Sequence, residues 1–315
     1  MSSGQHRRTM SALTASIFMC SSFAAFAGAY KEPEQEANIN LAVASNFFGV
    51  PPSNSAITDL INAFETLHPR FTVTVVDNGA TATLESNIIN GNVAGVDLFL
   101  AADTATPQDL LVNHFELVAP YNSSRRPPLF TFNYAGGLLA LLSTTPGVDL
   151  SCATGTCGYT TKYSSVAIAD PDLAPYGVAA QSVLIGTYGL KPPLSSNSLV
   201  HEYPNITAAF NAVIAKTDPV GFVAMSAICL DGKYPTSGMS ALAYFPVQAS
   251  PTNPSLLTIG YNPLTQAGIA IRQRRSEAQD VELKSFVEFL TDFTSPPTPD
   301  SPMIITLKKF CYSAP

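Results

Sequence analysis

Small polar residues follow strand-like segments at four places, each where a helix could begin. These places are Ser45–Asn46, Asn78–Thr81, Ala174–Tyr176 and Tyr203–Ile206. The start of a helix presents backbone N–H groups without partners inside the helix, together with the positive end of its dipole. Several such starts that converge on one cleft can bind an anion without Arg or Lys. The alternative is that each residue is a plain helix cap, because Ser, Thr and Asn are favoured there.

Catalytic signatures are missing from the sequence. It contains no HExxH, no G-x-S-x-G elbow, no Walker loop and no dinucleotide fingerprint. Asp97 and Asp103 flank a strand, but carboxylates in such positions usually cap helices or face solvent. We therefore expect a binding protein without a cofactor or resident metal, and the alternative from another class is an exported enzyme.

The composition excludes two classes of protein. Of the 315 residues, 46% are hydrophobic and only 12% are charged, so the chain can bury a substantial core and is not disordered. The isoelectric point is near 5.0 and no basic run occurs, which argues against nucleic-acid binding.

The first 29 residues have the pattern of an export signal. Arg7 and Arg8 precede an apolar stretch rich in Ala and Ser, which ends in small residues suited to cleavage after Ala27 or Ala29. A membrane anchor, a twin-arginine signal and a lipoprotein signal at Cys20 match less well. We expect a soluble periplasmic protein, because no later stretch is long and apolar enough to span a bilayer.

Four cysteines follow the predicted signal, at positions 152, 157, 229 and 311. An even number in an exported protein suggests two disulfides, for which three pairings exist. The segment CATGTC makes a Cys152–Cys157 bond easy to close, which leaves Cys229 for Cys311 and would tie the last residues to the body. Zinc is the rival interpretation, but there is no CxxC pair and no nearby histidine.

Strand-like and helix-like segments alternate from residue 38 onward. INLAVA, FTVTVV and VDLFLAA have strand character, and AITDLINAFETLH and TATLESNIING between them have helical spacing. This βαβαβ succession predicts an α/β fold with a mostly parallel sheet and helices on both faces. SVAIAD and VGFVAM extend the pattern, and two lobes are plausible at this length. Residues 246–258 and 294–302 are turn-rich and predicted to lie on the surface.

With these segments in order, the chain resembles the periplasmic molybdate-binding proteins of ATP-driven transporters. The resemblance lies in LAVASNFFG, NGATATLESNIINGNVAGVDLFLAAD, VAIADPDLAPYGVAAQSVL, DPVGFVAMSAI and LKKFCYS, spread over residues 38–313. The order and spacing of DLFLAAD, ADPxxAPYG and GFVA are its most specific part. Some members carry a tyrosine at the fourth position of the GFVA strand, where this chain has Ala224.

The resemblance implies a two-lobed periplasmic binding protein, type II-like, with mixed, mostly parallel sheets and strands that cross at a hinge. Residues 38–130 with 261–315 would form lobe I, and residues 131–260 lobe II. A monomer would capture molybdate and tungstate for an ABC permease; sulfate or another small anion is the alternative ligand. The resemblance implies five ligands. Ser45 and Asn46 would bind through side chain and backbone, Thr81 would take the place of a serine of the family, and Tyr176 and Ile206 would donate their backbone N–H groups.

Overall fold

The structure is a computed structural model that describes residues 36–49, 55–148, 150, 163–186, 188–234, 238–244 and 261–315. The predicted export signal, the predicted Cys152–Cys157 disulfide and the segment 246–258 lie outside the described residues. Among the described helices, none combines the length and the apolar character needed to cross a membrane.

The described strands are β1 (Ala37–Ala44), β2 (Phe71–Gly79), β3 (Leu98–Ala101), β4 (Thr131–Gly137), β5 (Leu139–Ser143), β6 (Val166–Ala169), β7 (Val200–Tyr203), β8 (Val220–Ala224), β9 (Ser240–Tyr244) and β10 (Leu264–Ala270). The described helices are α1 (Ser45–Phe48), α2 (Ala56–Leu67), α3 (Thr81–Ile89), α4 (Ala105–Asn113), α5 (Pro175–Gly186), α6 (Ile206–Ile214), α7 (Glu277–Leu290) and α8 (Pro302–Lys309).

Two five-stranded sheets organise these elements. The first has the order β2-β1-β3-β10-β4, and the second has the order β7-β6-β8-β5-β9. In the first sheet β1 pairs in parallel with β2 and β3, whereas β10 is antiparallel to β3 and β4. In the second, β6 is parallel to β7 and β8, and β5 is antiparallel to β8 and β9. The predicted α/β class with mixed sheets is confirmed. The expectation that the sheets are mostly parallel is not, because four of the eight strand pairings are parallel and four are antiparallel.

The chain passes between the sheets next to Leu138, which separates β4 from β5. β4 falls in the predicted lobe II, yet it pairs with β10 in the first sheet. Phe132 and Tyr134 explain this placement, because both are buried against the core of the first sheet. The division into lobes stays a prediction, and the crossing lies between Gly137 and Leu139.

Burial follows the strand positions. The interior strands β3, β5, β6 and β8 are buried at every residue, as expected for strands covered on both faces. The edge strand β2 instead alternates between buried Phe71 and Val73 and exposed Thr72 and Thr74. Its hydrophobic face packs against α2 and α7, where Phe64 contacts Phe286 edge to face.

Local sequence signals fix several helix ends. Ser276 and Gln279 form a reciprocal capping box at the start of α7. Ser301 caps α8 by accepting a hydrogen bond from the Ile304 N–H, and Pro302 occupies the first helical position. Strands occupy all or most of five segments that were predicted as strands, namely INLAVA, FTVTVV, VDLFLAA, SVAIAD and VGFVAM. Strands β4, β7 and β9 and helices α4 and α8 were not predicted from the sequence.

Candidate anion site

The starts of α1, α3, α5 and α6 converge on one small cavity, which has room for about one water-sized sphere (about 10 Å³). The cavity is lined by Ala44, Ser45, Asn46, Gly79, Ala80, Thr81, Ala102, Ala174, Pro175, Tyr176 and Ile206. All five predicted anion-binding residues are in this lining, and each is at most 5% exposed. None of the lining residues carries a charge.

Two of the four helices begin without a side-chain cap. Ala44 precedes α1 and Ala80 precedes α3, and neither position makes a side-chain capping hydrogen bond. Alanine is a poor residue at this position because it has no atom that could accept from the first N–H groups. Ser45 and Thr81 are therefore the first helical residues and not caps. The plain-cap interpretation fails at these two places, and their N–H groups are left facing the cavity.

The start of α6 is different, because Asn205 does cap it. The Asn205 side chain accepts a hydrogen bond of 2.9 Å from the Ala208 N–H, so the cap interpretation is correct for this residue. The first two N–H groups of the helix, on Ile206 and Thr207, have no partner within it. Ile206 therefore presents its backbone to the cavity although its helix is capped.

The Thr81 hydroxyl is oriented by the backbone of the neighbouring strand. Its oxygen accepts a hydrogen bond of 3.1 Å from the Ala102 N–H. A hydroxyl has one hydrogen to donate and two lone pairs with which to accept. Because the Ala102 bond uses only a lone pair, the hydroxyl hydrogen of Thr81 stays available to an acceptor in the cavity.

Two hydrogen bonds join elements on opposite sides of the cavity. The Ala82 N–H donates to the Leu173 carbonyl at 3.1 Å, between α3 and the segment before α5. The Thr207 hydroxyl donates to the Ser45 carbonyl at 3.1 Å, between α6 and α1. The four helix starts are thus connected in two pairs by direct bonds.

The Asn46 side chain is turned away from a role as an anion donor. Its amide nitrogen donates to Gln266 Oε1 at 3.1 Å and to the Tyr312 hydroxyl at 3.2 Å. A side-chain amide has two hydrogens, and these bonds use both. The resemblance implied donation through both side chain and backbone; in the structure only the Asn46 backbone N–H remains for the cavity.

A buried polar network, whose members were not predicted from the sequence, lies behind the cavity. The Tyr134 hydroxyl lies 2.9 Å from the Ala101 carbonyl oxygen and 3.0 Å from Gln266 Oε1. The Tyr312 hydroxyl donates to the Asn46 carbonyl at 2.8 Å. Burial raises the pKa of the Tyr134 phenol well above its usual value and that of Tyr312 to about 12. Both phenols therefore stay protonated at neutral pH and can donate.

Tyr176 places its backbone at the cavity and its side chain in the same buried region. Its hydroxyl lies against the Cα of Gly137, in space that any larger residue at position 137 would fill. Burial, reinforced by Tyr312 and Tyr261, raises the Tyr176 pKa well above its usual value, and the nearby Asn46 amide opposes the rise. The hydroxyl nevertheless makes no hydrogen bond of acceptable geometry in the described part of the chain.

The two carboxylates noted in the sequence have structural partners away from the cavity. Asp97 forms a buried ion pair of 3.1 Å with Arg275 and accepts a hydrogen bond from the Asn40 N–H at 2.9 Å. Asp103 accepts from the Thr106 N–H at 2.8 Å, in the first turn of α4. Both are thus explained by local structure, as carboxylates at strand ends usually are.

A second cluster contains the residue types of a hydrolase triad but not its order. The buried Asp218 carboxylate lies 2.7 Å from His201 Nδ1, and it also accepts from the Ser165 and Tyr203 hydroxyls. A nucleophilic serine needs the imidazole beside its oxygen, whereas Ser165 donates to the carboxylate itself. The geometry is that of a buried carboxylate satisfied by its neighbours.

The predicted Cys229–Cys311 disulfide is formed, with a Cα–Cα distance of 5.9 Å. It joins the segment after β8 to the residue that follows α8 and its C-terminal cap. Within the described ranges, no group of three or more His, Cys, Asp or Glu residues is placed to hold a metal ion.

Comparisons with known proteins agree with this architecture. The family model of the bacterial extracellular solute-binding proteins matches residues 39–292. The molybdate-binding protein ModA of Azotobacter vinelandii is 33% identical over 202 residues, which are 63% of this chain and 69% of the relative. The ModA of Rhodobacter capsulatus is 29% identical over 262 residues, which are 82% of this chain and 84% of the relative.

Solved structures extend the likeness to the fold. The periplasmic molybdate-binding protein of Azotobacter vinelandii superposes with a TM-score of 0.64 at 24% identity, covering 88% of this chain and 99% of that chain. The substrate binding domain of a putative molybdenum ABC transporter from Clostridium difficile gives a TM-score of 0.54 at 19% identity, covering 88% of this chain and 99% of that chain. At these identities the superpositions show a shared fold and nothing about the ligand.

Proposed function

Because the chain belongs to the bacterial extracellular solute-binding proteins, and within them to the molybdate-binding family, we propose that it captures molybdate outside the cytoplasm and delivers it to an ABC permease. Tungstate, a tetrahedral dianion of the same chemistry, is the expected second ligand. The observation that carries the proposal is the pair of helix starts preceded by Ala44 and Ala80, which leave buried N–H groups without a cap around an uncharged cavity.

The donor set suits a tetrahedral dianion, which is larger than the water-sized space in the structure, so the donors must move apart slightly to admit it. We assign side-chain donation to Ser45 and Thr81, and backbone donation to Asn46, Tyr176 and Ile206. Hydrogen bonds to a charged acceptor are shorter and roughly twice as strong as neutral ones, and the dipoles of the longer helices α3, α5 and α6 add a positive potential at their starts. An anion bound here would satisfy donors that the protein itself leaves unpaired, so no Arg or Lys is needed.

Closure of the two lobes is the proposed binding mechanism. Ser45, Asn46 and Thr81 belong to the predicted lobe I, and Tyr176 and Ile206 belong to the predicted lobe II. An anion held by only one lobe lacks donors for part of its oxygens, so it binds the closed state more tightly. That difference in affinity shifts the population toward closure. The bonds Ala82–Leu173 and Thr207–Ser45 would form on closure and hold the lobes together.

The uncharged lining also predicts which anions are rejected. Phosphate carries a proton at neutral pH and needs an acceptor for it, and no described lining residue has a carboxylate. Sulfate is a dianion without a proton and could use the same donors, so only the size of the closed cavity separates it from molybdate. Sulfate binding is therefore the second candidate function.

Isothermal titration calorimetry with molybdate, tungstate, sulfate and phosphate tests the proposal. We expect molybdate and tungstate to bind tightly, sulfate much more weakly and phosphate not at all. Sulfate affinity equal to that of molybdate would overturn the molybdate assignment in favour of the second candidate.

We further propose a periplasmic location after removal of the signal, with cleavage after Ala27 or Ala29, and a monomeric state. N-terminal sequencing of the exported protein tests the cleavage site. Light scattering of the purified protein tests the monomer.

A further inference from the structure

The last residues of the chain form a C-terminal strap, defined here as Cys311–Ser313, which follows α8. Each of its three residues is attached to a different element near the passage between the sheets. The strap is not part of the cavity lining, so any influence on the anion must act through other residues.

The first attachment is covalent. Cys311 is bonded to Cys229, which is 1% exposed and follows β8 of the second sheet. The Cys311 backbone has φ 55°, in the left-handed region that favours glycine. A cysteine at such a position supplies the disulfide that glycine could not, and the Tyr312 N–H closes the helix end by donating to the Leu307 carbonyl at 2.9 Å.

The second attachment reaches the first turn of the anion site. The Tyr312 hydroxyl donates to the Asn46 carbonyl at 2.8 Å and accepts from the Asn46 side-chain amide at 3.2 Å. It also lies 3.0 Å from the Ser226 hydroxyl oxygen, in the turn after β8. One phenol therefore holds both polar ends of Asn46 and connects them to the segment that carries Cys229.

The third attachment is a backbone pair at the crossing. Ser313 and Gly136 exchange two hydrogen bonds, of 2.8 Å from the Gly136 N–H and 2.9 Å from the Ser313 N–H. Gly136 is the penultimate residue of β4, just before the chain passes to the second sheet. A Cβ at position 136 would collide with the Ser313 hydroxyl in its present rotamer, whereas the other nearby atoms of the strap would be at ordinary contact distance.

From these contacts we propose that Tyr312 is a positioning residue for the anion site and that the Cys229–Cys311 disulfide holds it in place, so that the redox state of the disulfide changes anion affinity. The proposal rests on the proposed function. The strap fixes Asn46 from behind, which keeps the backbone N–H groups of α1 directed into the cavity. When an added dithiol reduces the disulfide, it supplies two electrons and two protons, and itself becomes a disulfide as Cys229 and Cys311 become thiols. One covalent attachment is then lost, and Tyr312 is held only by hydrogen bonds.

The test compares Tyr312→Phe with the matched control Tyr121→Phe, a half-buried tyrosine that packs on Phe132 away from the cavity. Molybdate dissociation constants are measured where circular dichroism shows every variant fully folded. Loss of the neutral bonds of one hydroxyl should weaken binding about 3- to 10-fold, with no change in the control. Equal affinities for Tyr312→Phe and the control would overturn the proposal.

A double-serine variant, Cys229→Ser with Cys311→Ser, tests the disulfide without reducing the other cysteines. We expect weaker molybdate binding, and a smaller effect of Tyr312→Phe in this background than in the disulfide-bonded protein. If the fold-changes in the molybdate dissociation constant caused by Tyr312→Phe and by the double-serine change multiply in the combined variant, the disulfide does not act through Tyr312.

Hydrogen exchange in the empty protein separates the strap from the ligand assignment. Peptides covering residues 44–49 should exchange faster in Tyr312→Phe than in Tyr121→Phe, whatever the natural anion is. If the wild type binds none of the four oxyanions, the proposed function fails. The exchange result then decides the positioning role alone: faster exchange supports it and unchanged exchange overturns it.

Discussion

Replacement of Thr81 by valine should separate its two roles. Thr81 is 2% exposed, and its oxygen accepts the Ala102 N–H while its hydrogen is free for the anion. Valine keeps the branched shape but can neither accept from the Ala102 N–H nor donate to the anion. A hydrogen bond to a charged group contributes about 1.5–3 kcal/mol, so molybdate affinity should fall about 10- to 150-fold.

The stability of the empty protein should fall as well, because the Ala102 N–H loses its acceptor. An unsatisfied buried donor costs about 1–3 kcal/mol. This cost is the same with and without anion and therefore does not enter the change in affinity. Calorimetry measures the first effect, and urea unfolding of the empty protein measures the second.

Thr81→Ser is the matched control, since it keeps the hydroxyl and removes only a methyl group. We expect it to bind molybdate within a few-fold of the wild type. The reasoning would be refuted if Thr81→Val bound molybdate as tightly as Thr81→Ser. A loss of stability alone would mean that Thr81 serves only as an acceptor for the backbone.

Three further substitutions probe other parts of the structure. Ala80→Asp should cap α3 and raise the unfolding free energy of the empty protein by about 0.5–2 kcal/mol. It should also weaken molybdate binding, because its carboxylate accepts from the N–H groups of α3 and repels the anion. Unchanged binding by calorimetry would exclude α3 from the site. Gly137→Ala should place a methyl group against the Tyr176 hydroxyl and 2.9 Å from Gln266 Nε2. The unfolding free energy measured in urea should fall by about 1–3 kcal/mol, and adding Tyr176→Phe should restore part of it. Burial raises the pKa of Glu282 from 4.5 to about 8, so the folded state holds a proton that the unfolded state releases. As the pH rises from about 4.5 to about 8, the unfolding free energy should therefore decrease by at most about 1.4 kcal/mol per pH unit. Glu282→Gln should reduce the difference in unfolding free energy between urea titrations at pH 5 and pH 8.

Much of the fold could be predicted because its signals are local. The apolar runs of β1, β3, β6 and β8 and the helical spacing of α2 need only neighbouring residues to be recognised. β4, β7 and β9 were not recognised, because their short segments become strands only through pairing with distant partners. β4, for example, is defined by its pairing with β10, more than a hundred residues later.

The candidate site shows the same division. The helix starts at Ser45, Thr81, Tyr176 and Ile206 could be located from polar residues at the ends of apolar segments. Whether a residue is the cap or the first helical residue depends on backbone geometry, and that distinction changed the interpretation of Ser45 and Thr81. The orientation of the Asn46 side chain could not be predicted, because its partners Gln266 and Tyr312 are 220 and 266 positions away.

The sequence alone predicted the α/β class, the positions of the helix starts and the pairing of Cys229 with Cys311. Hydrophobic periodicity, small polar residues after apolar runs and the short spacing of Cys152 and Cys157 are all properties of short segments. Only the tertiary structure decided that four helix starts surround one uncharged cavity and that Tyr312 holds Asn46 from behind. Those relations depend on which strands pair and in what register, and pairing between distant segments is set by the packing of the whole core.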